Sequence, residues 1–449
     1  HEIYTELHQK IPEHLFQWTY NPKTVSIQKI QVYFHMILQH HPCVPEPRFL
    51  CNLDKFSFKA IVYIINVKYI LHIKFKKFFV DKFDSIRPYN DTEANNVLID
   101  LSNNRRFLKM LFTTGEFDHI RYLPFSRKIL SYLLKKRIKN IDSIEKYQSI
   151  FEGVVLDVIK KSITNFTVSG IENIDSNKGY LFIANHRDIT LDSALLNLSL
   201  HQNNLSTTYN AVGNNLLSEK WASDLMRLNK SFIIDRSDKS KKDIYQSLYL
   251  ASEFIFNTIT EKHESIWIAQ KQGRSKDGND FTDPSVLKMI HLNGRKRTPL
   301  HEYLNNLNVI PVSISYEKDP NDLTKARELF LTDLNKKYIK EPKEDLISIS
   351  EGIRGHKGNV SLSIGSQLNF LNDSYDAAAN LITDKINELY KIHPTNIAAA
   401  IIQGKEIPEN DFSENDLDAA IIYLNERMEN ISDEMQPYFL DQYSNSLNR

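Results

Sequence analysis

Hydrophobic and polar positions divide the chain into short apolar runs separated by longer stretches with helical spacing. Leu181-Phe-Ile-Ala184 is a run of apolar residues bounded by polar ones, too short for a buried helix, and it predicts a buried strand. Further runs predict strands at Phe166–Gly170, Thr207–Val212, Phe232–Arg236, Ser265–Gln270, Asn308–Tyr316 and Asn359–Gly365. Helical segments alternate with them. Ala194–Leu200 is apolar throughout, and Ile244, Leu248, Ala251, Ile255 and Ile259 fall close to a single helical face. Strands alternating with helices predict an α/β fold with a mostly parallel central sheet flanked by helices.

Before about residue 163 the pattern is helical. It begins near Glu93. Asp142 is placed to cap a helix running to about Ser162, with Ile150, Val154 and Val158 at helical spacing. A helical bundle should therefore precede the sheet. The chain reads as a compositionally distinct segment at 1–80, a helical subdomain at 81–162, an α/β domain at 163–392 and an acidic helical segment at 393–449. Residues 1–80 contain both cysteines, nearly half of the histidines and none of the glycines. That break marks a separate module or a sequence foreign to the rest, and the segment is expected to be dispensable for activity.

Composition narrows the class. With 41% hydrophobic and 25% charged residues the chain is an ordinary globular protein, and its formal net charge is zero. Basic residues outnumber acidic ones in His1–Val80, and the reverse holds in Lys405–Arg449. Cys43 and Cys51 fit no zinc spacing and make no disulfide scaffold, which suits a reducing cytosol. No secretory signal is visible. The chain opens on His1, so a preceding stretch is expected. Phe58–Val80 is the most apolar stretch, but Lys59, Lys68, Lys74, Lys76 and Lys77 interrupt the roughly 20 apolar residues that a spanning helix needs.

His119–Lys139 is different again. It holds Arg121, Arg127, Lys128, Lys135, Lys136, Arg137 and Lys139 and no acidic residue. Ile129, Leu130, Leu133 and Leu134 give it an apolar face, flanked by Tyr122, Phe125 and Tyr132. A basic amphipathic helix with aromatics suits an anionic membrane surface. A solvated helix packed on the domain is the alternative.

The candidate chemistry lies just after Ala184. His186 falls at a strand-to-helix turn, which in a parallel sheet lies at the carboxyl edge where sites form. Asp188 and Asp192 are close in sequence. A His held by a carboxylate can take a proton from a hydroxyl near neutral pH. His186-Arg-Asp188 imitates a kinase catalytic loop, but Ser193 stands where that loop needs Asn, and no Asp-Phe-Gly or glycine-rich loop accompanies it.

Asn185-His186 followed by an Asp resembles the first motif of the glycerophosphate and lysophosphatidate acyltransferases. That family has four residues between His and Asp; here Leu191 fills the expected position and Asp192 follows it, so Asp192 is the preferred partner and Asp188 the alternative. Phe232-Ile-Ile-Asp-Arg236 resembles the second motif, although the usual upstream glycine is absent and Asn229 and Lys230 stand in that region. Gln270-Lys-Gln-Gly-Arg-Ser-Lys276 resembles the third, with Gln272 where many members have Glu. Val309-Ile-Pro-Val-Ser313, with Tyr316 beyond, resembles the fourth. The resemblance spans about residues 81–375. Asn185, Gly273, Ser275 and Pro311 support the motifs.

The resemblance implies a phospholipid-synthesis enzyme that moves a fatty acyl group from acyl-CoA or acyl carrier protein to a hydroxyl of glycerol 3-phosphate or its 1-acyl form. It also implies a cytoplasmic protein, peripheral on the inner membrane face. The residues agree. Arg236, Lys271, Arg274 and Lys276 follow strands that should end near His186, and Arg grips phosphate bidentately. The acyl chain needs an apolar groove, which Trp267, Phe232 and Leu216 are placed to line, although core packing is the favoured reading for each. No nucleophile elbow, nucleotide loop or metal-ligand spacing occurs, so no metal, separate cofactor or nucleic acid is expected; as partners the resemblance implies lipid and phosphorylated glycerol, a membrane surface and, as one of two acyl donors, acyl carrier protein. The alternatives are an inactive lipid-binding relative and an acyltransferase for another acceptor.

Overall fold

The computed structural model describes residues 81–448 apart from 113–116, 214–218, 236–239, 336–337 and 341–343. The expectations for residues 1–80, for Leu216 and for Arg236 lie outside the described residues. Asp81–Arg449 forms one compact unit.

Seven strands form one sheet: β1 Asn165–Ser169, β2 Leu181–Ala184, β3 Tyr209–Gly213, β4 Ser231–Ile234, β5 Ile266–Ala269, β6 Val309–Tyr316 and β7 Asn359–Ile364. Their order is β1-β7-β6-β2-β5-β3-β4. Every pairing is parallel except β6 with β7. Strands β2 to β6 thus share one direction, and their carboxyl ends open on one edge. The sheet is mostly parallel and flanked by helices, as the alternation predicts.

β2 lies at the centre because both its faces are apolar. Leu181 and Ile183 are wholly buried against the helices Lys241–Thr260, Pro284–Ile290 and Tyr375–Glu388. Phe182 and Ala184 pack on the opposite face with the helix Leu191–Gln202. The two-residue repeat of a strand sends alternate side chains into separate cores. A strand buried on both faces reads as a continuous apolar run, which is why the sequence announces it.

Pro311 sits in β6, in register with Ile183 of β2. Proline cannot donate to a ladder and is rarely tolerated in a central strand. Here the ladder from β6 to β7 begins only at Val312, and the Pro311 carbonyl accepts from the N–H of Gly365 at 2.9 Å, where β7 has ended. The missing N–H therefore falls where no strand partner needs it.

Among the described residues of 91–162, α-helices are at Asp91–Asn103, Arg105–Leu111, Ser126–Ile138 and Ile144–Ser162. Asn90 caps Asp91–Asn103 in a capping box with Glu93, and Ser126–Ile138 packs through Leu130 and Ile138. Ser143, rather than Asp142, caps Ile144–Ser162, its hydroxyl accepting from the N–H of Lys146. The inward face also differs from the expected one. Ile150 and Val154 are each 52% exposed, while Tyr147 and Val155 are buried. One residue of phase separates the two stripes, and in a helix apolar on several sides periodicity alone does not choose between them. Three helices, Pro394–Gln403, Glu414–Met428 and Gln436–Ser444, pack beside Asp322–Asn335 near the carboxyl end of the chain. Among the described residues no helix is long and apolar enough to cross a membrane.

A test of the Pro311 arrangement follows from Gly365. A Cβ at this position would lie 2.7 Å from Pro311 Cγ and 3.0 Å from Leu389 Cδ1. Gly365→Ala should cost about 1–3 kcal/mol by overpacking, read as a lower urea midpoint with unchanged slope. An unchanged midpoint would show that the end of β7 gives way freely.

Candidate active site

The site is built on the carboxyl edge, where β2, β5 and β6 end side by side. Asn185, the residue after β2, is wholly buried. Its amide donates to Asp280 and to the carbonyl of Ile314, each at 3.0 Å, and its carbonyl accepts from the Ile314 N–H at 2.8 Å. The side chain therefore ties the start of the turn to β6. On the other side, the N–H of Gln270 donates to Ala184 and the N–H of Ser275 donates to the carbonyl of His186 at 2.7 Å. The Gln270–Lys276 loop is thus fastened to the histidine's own backbone.

His186 Nδ1 lies 2.8 Å from Asp192 Oδ2. Asp192 is in the first turn of the helix Leu191–Gln202, where a negative charge suits the helix dipole. The same Oδ2 accepts the backbone N–H groups of Arg187 at 2.7 Å and Asp188 at 3.0 Å. Oδ1 accepts the Tyr316 hydroxyl at 2.8 Å. The Asp192 side chain is 1% exposed and that of His186 15%. A buried carboxylate is costly unless its lone pairs are filled, and four donors fill these. With Nδ1 donating to Asp192, the proton-accepting nitrogen is Nε2. His186 lines an open groove of about 2000 Å³. Trp267 meets the imidazole edge-on, with ring centroids 5.7 Å apart, and also lines the groove.

The geometry separates the two candidate carboxylates. Asp188 turns away from the imidazole, and its Oδ1 accepts from the N–H groups of Thr190 and Leu191, each at 2.8 Å. That local turn takes up the extra residue between His186 and Asp192 and returns the chain to the ring. Asp188 also abuts the helix Glu344–Arg354, where a Cβ on Gly352 would lie 2.1 Å from its Oδ2. Burial, and then the charge of Asp192, raises the Asp188 carboxyl above the ordinary value. Burial and the Asp192 carboxylate hold the Tyr316 hydroxyl well above the usual phenol range, so it remains a donor.

The expected phosphate ligands fare differently. Arg236 lies outside the described residues. Lys271 lines the groove, but its ammonium donates to the carbonyl of Asn279 at 2.9 Å and lies 4.2 Å from the centre of the Phe281 ring. Lys276 is paired with Glu328 at 2.5 Å. Arg274 lines the groove and has a buried Nη1 with no hydrogen-bond partner. Gly273 beside it holds φ +78°, a left-handed conformation that other residues adopt only under strain. Among the expected cations that are described, Arg274 is thus the one that lines the groove and has a side-chain nitrogen without a protein partner. Ser275 is buried and anchors the loop, its hydroxyl donating to Asn279 at 3.2 Å.

Of the residues considered for the acyl groove, Trp267 lines it, while Phe232 does not. Phe232 is wholly buried in the core on the far face, with its ring centroid 4.9 Å from that of Phe254. In a central strand alternate residues face opposite layers, and Phe232 lies in the layer away from His186. An apolar wall of the groove comes instead from Phe151 and Val155 of one helix and Ala194 and Leu198 of another.

Several supporting residues had no distinct sequence signal. Arg187 points away from the groove, donating to Asp280 at 2.7 Å and stacking over Tyr390. Lys325 is buried and donates to the carbonyl of Arg187 at 2.8 Å while pairing with Asp319. These contacts join positions far apart in the chain, and no local spacing encodes them. Among the described residues no three His, Cys, Asp or Glu side chains gather as metal ligands.

No curated protein matches the chain. The crystal structure of the 1-acyl-sn-glycerophosphate (LPA) acyltransferase PlsC from Thermotoga maritima is similar over 67% of this chain and 97% of that chain, at 15% identity and a TM-score of 0.32, too low to add to the assignment. The sequence model of the acyltransferase family matches residues 165–277, a span that contains β1 to β5, the His186–Asp192 pair and Arg274. Residues 165–277 of this chain therefore carry the acyltransferase-family sequence pattern.

Proposed function

We propose that this acyltransferase moves a fatty acyl group from a thioester, acyl-CoA or acyl carrier protein, to a hydroxyl of glycerol 3-phosphate or 1-acylglycerol 3-phosphate in phospholipid synthesis. The observation that carries the reading is that the His186 of the His186–Asp192 pair lines the same groove as Arg274, whose buried Nη1 has no protein partner. A proton acceptor beside a phosphate-binding cation suits a phosphorylated alcohol. The groove's apolar wall suits an acyl chain.

In this reading Arg274 holds the acceptor phosphate and His186 Nε2 takes the proton from its hydroxyl. The oxygen attacks the thioester carbonyl, a C–O bond forms, the C–S bond breaks, and the imidazolium returns the proton to the thiolate. Asp192 keeps the imidazole in the required tautomer and stabilises the imidazolium. Lys271 and Lys276 add positive potential without direct contact, because protein groups already hold them. The enzyme would work as a peripheral protein on the inner membrane face.

Three outcomes test this. His186→Ala should lose about 10²–10⁴-fold in acyl transfer, the usual worth of a positioned base. Asp192→Asn should lose far more than Asp188→Asn, and the reverse order would move the partner role to Asp188. Tyr316→Phe removes one donor from Asp192. It should lower kcat about tenfold, the equivalent of ~1.4 kcal/mol for one hydrogen bond to a charge, and leave the acceptor KM in place. A shift in KM alone would put Tyr316 at the acceptor instead.

Arg274→Ala should raise the acceptor KM much more than the donor KM in steady-state kinetics with each substrate varied. Lysine should rescue poorly, because a point charge cannot reproduce the guanidinium fork. An effect confined to the donor would assign Arg274 to the thioester, and no change in either KM would remove it from the site.

A further inference from the structure

A second concentration of positive charge lies away from the groove. The helix Arg105–Leu111 and the start of the helix Ser126–Ile138 enclose a recess of about 370 Å³ lined by Arg105, Arg106, Lys109, Arg121 and Arg127, with Phe112 and Ser126. Arg106 is paired with Glu219. Among the described residues no carboxylate pairs with the other four, and all four are exposed. Four unneutralised cations around one recess repel one another, so the arrangement favours binding of an anion.

What stands beside the recess narrows the anion's source. Arg121-Tyr-Leu-Pro-Phe125 is exposed at every position, with Tyr122 at 81% and Phe125 at 75%. Tyr132 projects from the next helix at 68% exposed. The apolar face expected to meet a membrane is not the one available. Leu130 is wholly buried, and Ile129, Leu133 and Leu134 pack with it in a core cluster against Leu108, Phe112 and Phe117. The protein thus covers the helix's apolar stripe with itself and leaves out a short aromatic loop ringed by cations. Arg121 lies over the Tyr122 ring and Lys128 over the Phe125 ring, so charged and apolar groups share one surface.

We propose that this surface docks on an anionic phospholipid bilayer, the recess taking a phosphate-bearing headgroup while Tyr122, Leu123, Pro124 and Phe125 enter the interface. Aromatic side chains favour that depth, and each basic residue near an anionic surface adds to its attraction. A free phosphate would satisfy the recess but give no use to the exposed loop. The choice of a bilayer as occupant rests on the lipid-synthesis reading, but the test reads binding and not turnover. It can fail while acyl transfer persists, and acyl transfer can fail while it succeeds.

The full chain is floated with phosphatidylcholine vesicles, with and without phosphatidylglycerol. Binding should require the anionic lipid. Charge reversal at Arg105, Lys109 and Arg127 together (each to Glu) should weaken it about fivefold or more per residue. Reversal of Lys160, Lys161 and Lys178, exposed elsewhere, makes the same change in net charge and should have little effect. Phe125→Ser should weaken binding to anionic vesicles without changing the lipid preference. Equal losses from both triple variants would mean net charge alone and overturn the site. So would full binding by the recess variant. Displacement by inorganic phosphate, but not by chloride at equal ionic strength, with Phe125→Ser silent, would assign the recess to a soluble anion. If the triple variant does not fold, as judged by its unfolding midpoint, Arg127→Ala and Phe125→Ser carry the same test.

Discussion

The Asp192 carboxylate is the interaction on which the rest of the site depends. It is buried, and its charge is tolerable only because His186, two backbone N–H groups and Tyr316 all donate to it. A hydrogen bond to a charged group is worth about 1.5–3 kcal/mol, whereas a buried charge left unpaired costs several kcal/mol. The four donors come from the turn after β2 and from the end of β6. The carboxylate therefore meets all four donors only if those two strands end together. The geometry of the site and the topology of the sheet are here one constraint.

That constraint explains why the surrounding loops are tied as they are. Asn185 bonds both backbone groups of Ile314 in β6, and the loop after β5 donates to the carbonyl of His186. The histidine's backbone is thus fixed from both neighbouring strands, and little freedom remains for the imidazole to leave Asp192. Arg187, which follows it, is drawn to Asp280 rather than to the groove, and Lys325 secures the Arg187 carbonyl. Positive charge in the groove is then graded. Lys271 and Lys276 are occupied by protein partners, and Arg274 keeps a buried nitrogen without one.

How much of this the sequence discloses depends on the range of the interaction. The central strands β2, β5 and β6 appear as near-continuous apolar runs because they are covered on both faces, whereas β7 alternates and β1 is largely exposed. His186 and a nearby Asp were legible from local spacing. Which Asp faces the ring was open, because Asp188 and Asp192 differ by one turn of chain and the choice is made by Tyr316 and by the Asp188 turn. The face of Ile144–Ser162 was misread because that helix is apolar on more than one side. Core packing was the favoured reading for Phe232, and its parity along β4 does send it into the core opposite His186. Asp280, Lys325 and Gly352 act across long separations and leave no local pattern.

The most direct measurement is a paired assay of thiol release and ester formation by the purified chain, with an acyl thioester and glycerol 3-phosphate or its 1-acyl form. The account predicts that free thiol and phosphorylated ester appear in equal amounts, and that neither accumulates when the acceptor is replaced by unphosphorylated glycerol. Thiol released without ester would mean that His186 activates water and that the protein is a thioesterase. Ester formed equally well from glycerol would contradict a phosphate-directed acceptor site.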